Sequence, residues 1–200
     1  MGRPRSFDEE QLLDCAQEIF WTTGYAATRV EDIGRLSGLG NGSIYGAYGS
    51  KLGLFLAVFG RYCEGRVRMV DSVVGAHRGT FEDAVANYLD AIIADCTIHP
   101  DRRGCLMLNS ITELGSRHPE VVDIGSRTLS ALEEIVRARV LQGVSDGELA
   151  VPDDEGASLS AHIVLVSQGL IQLSRTGAST DKLHTIARTS SRMSSLLAAA

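Results

Sequence analysis

An all-α fold of about nine helices is the expectation, on three observations. Apolar residues recur at steps of three and four through most of the chain. Helix-length segments are punctuated by capping and breaking residues. No segment shows the apolar–polar alternation of a strand. The expected division is a three-helix helix-turn-helix domain over residues 1–50 and a helical bundle over residues 51–200.

The elements follow in order. Ser6 with Glu9 forms a Ser-x-x-Glu capping pattern, and Leu12, Leu13, Ala16, Ile19 and Phe20 keep helical spacing until Gly24. Thr28 with Glu31 repeats the pattern and opens a second helix that stops near Gly38, with Val30, Ile33 and Leu36 expected in the core. Asn41 is a candidate cap for a short third helix holding Ile44, and Ser50 for a long fourth helix. After a joint at Gly75–Gly79, Thr80 precedes a clean stripe of Phe81, Ala84, Val85, Tyr88, Leu89, Ile92, Ile93 and Cys96. A short helix from about Cys105 to Leu114 follows, then one opened by Pro119 as its first residue.

The eighth helix follows the acidic turn Pro152-Asp153-Asp154-Glu155 and spaces Leu159, Ile163, Val166, Leu170 and Leu173 at steps of four and three. The ninth spaces Leu183, Ile186, Ser190, Met193 and Leu197 in the same manner. Such seams suit near-parallel helix packing, so this pair is expected either to meet a second copy of itself or to pack on the chain's own core.

Composition narrows the function classes. Apolar content of 44% with 22% charged residues suits a globular protein. There is no run of about 18 apolar residues and no apolar signal core at the N-terminus, so the chain is expected in the cytoplasm, without a membrane span. Cys15, Cys63, Cys96 and Cys105 form no CxxC pair, and neither a metal site nor a cofactor is expected. The net charge of −6 falls wholly after residue 68, because the first 68 residues hold eight basic and eight acidic side chains. The acidic part is therefore expected away from any phosphate backbone.

Residues 28–51 carry the most chemistry. A short helix, a glycine-rich turn and a second short helix are the layout in which the second helix enters the DNA major groove. Asn41, Ser43, Gly46 and Ala47 lie around this helix; Asn41 and Ser43 can address base edges, with Gly42 permitting close approach. Tyr45, Tyr48 and Lys51 can reach phosphate oxygens, although Tyr48 also fits a core position. The Thr28 hydroxyl and the helix it opens suit an anion. Arg29, and Arg3 with Arg5 in the N-terminal arm, are either phosphate contacts or solvated charges. Gly38, Gly40 and Gly42 imitate a dinucleotide fingerprint but lack the preceding strand.

Residues 3–62 closely resemble the DNA-binding domain of the TetR family of bacterial transcriptional regulators. The resemblance runs through Gly24-Tyr25-Ala26-Ala27-Thr28, Val30-Glu31-Asp32-Ile33, Gly42-Ser43-Ile44-Tyr45, Tyr48-Gly49-Ser50-Lys51 and Leu54-Phe55. It implies a two-domain helical homodimer that binds a palindromic double-stranded operator, represses in most cases and is released by a small-molecule effector. It also implies phosphate contacts for Thr28, Tyr45 and Lys51 and groove-facing positions for Gly42 and Ser43. Asn41, Ala47 and Arg29 depart from commoner family residues, so the operator sequence does not carry over.

The bundle is expected to hold the effector, with Tyr62, Tyr88, Cys105, Met107, Asn109 and Gln168 as candidate contacts. Trp21 is expected at the junction of the domains. The segment Gly104-Cys105-Leu106-Met107-Leu108-Asn109, followed by Glu113-Leu114, is similar to a Gly-Cys-Leu-x-x-Asn segment of some family members, in which a cysteine hereabouts senses electrophiles or oxidants. Helix N-termini and nearby arginines, here Arg102 and Arg103, favour thiolates. A buried apolar role for Cys105 is the plainer alternative. A helical enzyme acting on its pocket ligand is a remote alternative, since no catalytic constellation emerges.

Overall fold

The computed structural model describes residues 8–152 and 155–193. Among the described residues the elements are nine α-helices and no strand. They are α1 (Glu9–Ala27), α2 (Val30–Ser37), α3 (Asn41–Tyr48), α4 (Lys51–Val70), α5 (Phe81–Ile98), α6 (Leu106–Leu114), α7 (Pro119–Ser145), α8 (Glu155–Arg175) and α9 (Thr180–Ser191), with a π-turn at Asp71–Gly75 after α4. Two compact units result. Among the described residues, one comprises 8–64 with Leu106–Gly125; the other comprises Gly65–Cys105 with 126–152 and 155–193.

The first unit is built on α1. Leu12, Ala16 and Phe20 form its buried stripe, against Val30 and Ile33 of α2, Ile44 of α3 and Leu54, Phe55, Val58 and Phe59 of α4. Phe20 meets Phe55 edge-on at 5.1 Å, and Phe55 stacks on Phe59 at 5.6 Å, a geometry that adds to plain area burial. Leu36 is not core: it is 65% exposed. From Ile33 the inner face of α2 continues through half-buried Ser37, which turns Leu36 outward.

Three expected caps are corrected. Ser6 and its capping pattern lie outside the described residues, and α1 is capped by Asp8, which accepts the Gln11 N–H at 3.1 Å. Helix α2 begins after Arg29 and has no side-chain cap, so Thr28 is not its cap. Gly24 takes φ 79° and ψ 165°, outside the helical region, and the Thr28 hydroxyl turns back to donate to its carbonyl at 2.6 Å. Asn41 is the first residue of α3 rather than its cap, which is Gly40. Ser50 does cap α4, accepting the Gly53 N–H at 3.0 Å.

The second unit is built on α5, whose predicted stripe from Phe81 to Cys96 is buried in full. The stripe is wide enough to meet both α8 and α9. Thr80 caps α5 with Asp83 in a reciprocal capping box, and the Thr80 hydroxyl and N–H hold the Asp83 carboxyl below its ordinary pKa. Helix α8 places Ser160, Ser167 and Ser174 in the interior, seven residues apart. The hydroxyls of Ser160 and Ser167 return to the Gly156 and Val164 carbonyls at 2.7 Å, so these small side chains admit close helix approach at little polar cost. Among the described residues, α8 alone is long and apolar enough by composition to cross a bilayer; much of it is buried inside this unit.

Candidate nucleic-acid interface

Helix α3 carries the face that a duplex would meet. Ile44 anchors it in the core at 1% exposure, which leaves Gly42, Ser43, Tyr45 and Gly46 exposed. A Cβ placed on Gly42 or Gly46 would meet nothing within 4 Å, so neither glycine is required by the unit's own packing. Each costs helix stability of about 1 kcal/mol relative to Ala. The result is a nearly bare helix surface bounded by Ser43 and the 42%-exposed Tyr45. Asn41 and Ala47 are half-buried at its edges.

The turn that positions α3 is tight. A Cβ on Gly34 would come within 2.6 Å of the Leu39 carbonyl oxygen and 3.0 Å of Asn41 Oδ1, so only glycine fits where α2 leads into α3. At the other end, a Cβ on Gly53 would stand far inside van der Waals contact distance of the Tyr48 carbonyl oxygen. Gly53→Ala is therefore expected to displace the α3–α4 corner, at about 1–3 kcal/mol of overpacking cost. Urea denaturation and operator titration of the same preparation check this. Wild-type values in both would show that the corner relaxes freely.

The remaining candidates divide by what their polar groups already do. Thr28 is 3% exposed, and its hydroxyl lies 2.8 Å from Thr23 Oγ1 as well as bonding Gly24. Its proton is thus used inside the unit. The Tyr48 hydroxyl donates to Glu9 Oε1 at 2.8 Å and ties α3 to α1. Arg29 is exposed beside the start of α2. Lys51 Nζ donates to the Ala26 carbonyl at 3.3 Å and lies 4.5 Å from the Tyr25 ring centroid. Arg3 and Arg5 lie outside the described residues.

The effector candidates fall in both units. Tyr62, edge-on to Trp21 at 5.4 Å, belongs to the first unit with Met107 and Asn109. Tyr88, Cys105 and Gln168 belong to the second. There the Tyr88 hydroxyl donates to Ser167 Oγ at 2.9 Å, and Gln168 Nε2 donates to the same oxygen at 3.1 Å. Gln168 Oε1 is buried without a hydrogen-bond partner. Periodicity does not single out Ser167, because a buried serine in an apolar stripe carries no local signal. Two clefts in this unit, of about 440 and 280 Å³, are lined by neither Tyr88, Cys105 nor Gln168.

The two arginines beside Cys105 make polar contacts of their own. Arg102 donates to the Ala178 carbonyl at 2.9 Å, and Arg103 pairs with Asp101 at 3.2 Å. Cys105 itself is 4% exposed. Burial pushes the nearby Cys96 thiol up to about 11.

The expected self-association seam is divided. Leu159, Ile163, Leu170 and Leu183 are at most 7% exposed and serve the chain's own core, so they are not available to a partner. Steps of three and four describe a stripe without fixing which side of the helix it faces. Val166, Leu173, Ile186 and Met193 remain half-exposed, beside Leu165 at 67% exposure. Leu197 lies outside the described residues.

Comparison with known proteins agrees with this geometry. Residues 12–58 match the family model of bacterial regulatory proteins, tetR family, and residues 82–190 match a tetracyclin repressor-like C-terminal domain. The HTH-type transcriptional repressor ComR of Escherichia coli is 30% identical over 193 residues, covering 96% of this chain and 91% of ComR. A cysteine mutant of the TetR family regulator CifR, solved in complex with 26-base-pair operator DNA, superposes with a TM-score of 0.79 at 26% identity. That match covers 96% of this chain and 98% of the CifR chain. A TetR family regulator from Cytophaga hutchinsonii, at 19% identity, shares the fold with a TM-score of 0.80 over 93% of this chain and 92% of its own. With an exposed reading helix held by a glycine-tight turn, and with family matches over both halves of its length, this chain belongs to the TetR family and is a DNA-binding transcriptional regulator.

Proposed function

We propose that the chain acts in the cytoplasm as a homodimeric repressor, released from a palindromic operator by a small-molecule effector. The observation that carries the DNA half is the bare outer face of α3, where Gly42, Ser43 and Gly46 leave the backbone free to approach base edges. Tyr45, Lys51 and Arg29 flank that face as phosphate contacts, with Asn41 and Ala47 at its margin. ComR, a repressor by name, supports the sign of regulation, and CifR, solved on operator DNA, supports the duplex as target. In a dimer the two α3 helices must stand about 34–36 Å apart to enter successive major grooves. Half-exposed Val166, Leu173, Ile186 and Met193, with Leu165, supply the apolar face for pairing.

For the effector we favour the Tyr88–Ser167–Gln168 cluster, because Gln168 Oε1 is a buried acceptor with no partner. Such an atom costs stability unless a ligand donor meets it. The whole reading is tested by titrating the protein with DNA flanking its own gene, at stated salt, against a scrambled duplex. Selective, salt-dependent binding that a metabolite extract reverses is expected. Equal affinity for both duplexes would refute it.

A second reading places the signal at Cys105, struck by an electrophile or oxidant. It is favoured by Cys105 directly preceding α6, and by the cysteine substitutions named for the CifR structures. Cys105→Ser is then expected to keep operator affinity and lose release by oxidant. Release that persists in this variant assigns Cys105 to packing, as its burial suggests.

A further inference from the structure

We propose that Glu113, on α6, is a positioning residue for DNA binding: it fixes the Tyr25–Ala26 peptides and through them aims the Lys51 ammonium. Local sequence patterns assign Glu113 no role beyond its place in the Cys105–Leu114 segment. In the first unit its carboxylate spans two successive backbone amides, accepting the Tyr25 N–H at 2.9 Å and the Ala26 N–H at 2.8 Å. Gly24 leaves the helical region just before them, and this turn presents both amides to the one carboxylate. A Cβ on Gly24 would stand 3.1 Å from Glu113 Oε2, so the glycine also keeps the space that the carboxylate fills.

The same two residues hold Lys51 from the other side. Its ammonium donates to the Ala26 carbonyl and lies over the Tyr25 ring. The Ala26 residue is therefore gripped at its N–H by Glu113 and at its C=O by Lys51. An ammonium has three donors, and one fixed by a carbonyl leaves two with a defined direction. Tyr25 is held in turn against Phe55 at 5.2 Å and His118 at 5.9 Å, so the ring under Lys51 has little freedom to move. Glu113 and Lys51 thus act on one short stretch of backbone at the mouth of α2, the place where the reading unit meets phosphate in the function proposed above.

This inference rests on Lys51 touching a phosphate, and the test separates the two claims. Operator affinity of the full chain is measured by fluorescence anisotropy over a salt series for wild type, Lys51→Met, Glu113→Gln and the double variant, with thermal melts confirming the fold. Glu113→Gln keeps the shape but turns an amide N–H₂ toward one of the two backbone donors. Lys51→Met is expected to reduce the slope of log K against log salt by about 2 for a dimer, one phosphate per subunit. Glu113→Gln is expected to weaken binding about tenfold, the size of one charge-assisted contact, with a reduced slope as well. The double variant should bind no more weakly than Lys51→Met alone. An unchanged slope in Lys51→Met removes the phosphate assignment and the inference with it. A reduced slope in Lys51→Met, with losses that simply add in the double variant, leaves Lys51 on phosphate and overturns the role of Glu113.

Discussion

In the proposed homodimer, Leu165→Glu is expected to separate the two copies and to lower operator affinity by about 100-fold or more, the avidity lost when two linked half-sites become independent. Leu165 is a large apolar side chain of α8 that is 67% exposed, and the half-exposed Val166 and Leu173 lie on the same helix. Gly169 lies between them in sequence, and a Cβ there would meet nothing within 4 Å, which leaves room for a partner helix to approach. In an isologous pairing each copy contributes the same patch, so one substitution introduces two carboxylates into one apolar interface. Neither has a partner there, and desolvating such a charge is costly. Sedimentation velocity of the variant reads the oligomeric state, and anisotropy reads the affinity. A variant that remains dimeric with wild-type affinity would remove this face from the account. The fold of the second unit should survive, because Leu165 takes no part in its core.

The second large effect is on stability. Glu148→Ala is expected to cost about 3 kcal/mol, at the low end for breaking a buried ion pair because the Glu148 side chain is 28% exposed. Arg139 is only 6% exposed. Its Nη2 donates to the Gly79 carbonyl at 2.8 Å and to Glu148 Oε2 at 3.1 Å, and its guanidinium lies 5.8 Å from the Phe81 ring centroid. Glu148 also accepts the Phe81 N–H at 2.6 Å, so its negative charge sits at the start of α5, where the helix dipole favours it. Removing Glu148 leaves a guanidinium buried against one carbonyl and the Phe81 N–H without its acceptor, while the Thr80–Asp83 capping box stays in place. The Arg139→Met/Glu148→Ala double variant should recover part of the loss, since no charge then remains buried. Urea midpoints of the three proteins decide the matter: a Glu148→Ala value within about 0.5 kcal/mol of wild type would mean that solvent replaces the pair.

What could be read from the sequence was local. The α5 stripe and the Thr80 cap lie within one helix turn of their signals, and both appear as expected. The helix-turn-helix was legible because Gly38, Ile44 and Ser50 each fix a neighbouring backbone feature. Rotation of a helix about its axis was not legible. Leu36 and Ser37 on α2 stand about 100° apart around the helix axis, and Ile163 and Val166 on the α8 seam about 60° apart. Only the neighbouring helices decide which is buried; thus Leu36 is exposed while Ile163 is core. Thr28 matched a capping pattern, but the non-helical Gly24 opened a nearer carbonyl for its hydroxyl. Long-range polar contacts left no trace at all. Glu113 meets Tyr25 from 88 positions away, and Arg139 meets the Gly79 carbonyl from 60.

The central claim is that two copies of this chain grip one duplex through α3. Anisotropy titration of the full chain with DNA flanking its own gene, at two salt concentrations and with stoichiometry read at saturation, tests it most directly. Two chains per duplex, an affinity that falls steeply with salt, and at least about 1000-fold preference over a scrambled duplex are expected. One chain per duplex, or no preference between the two sequences, would contradict it.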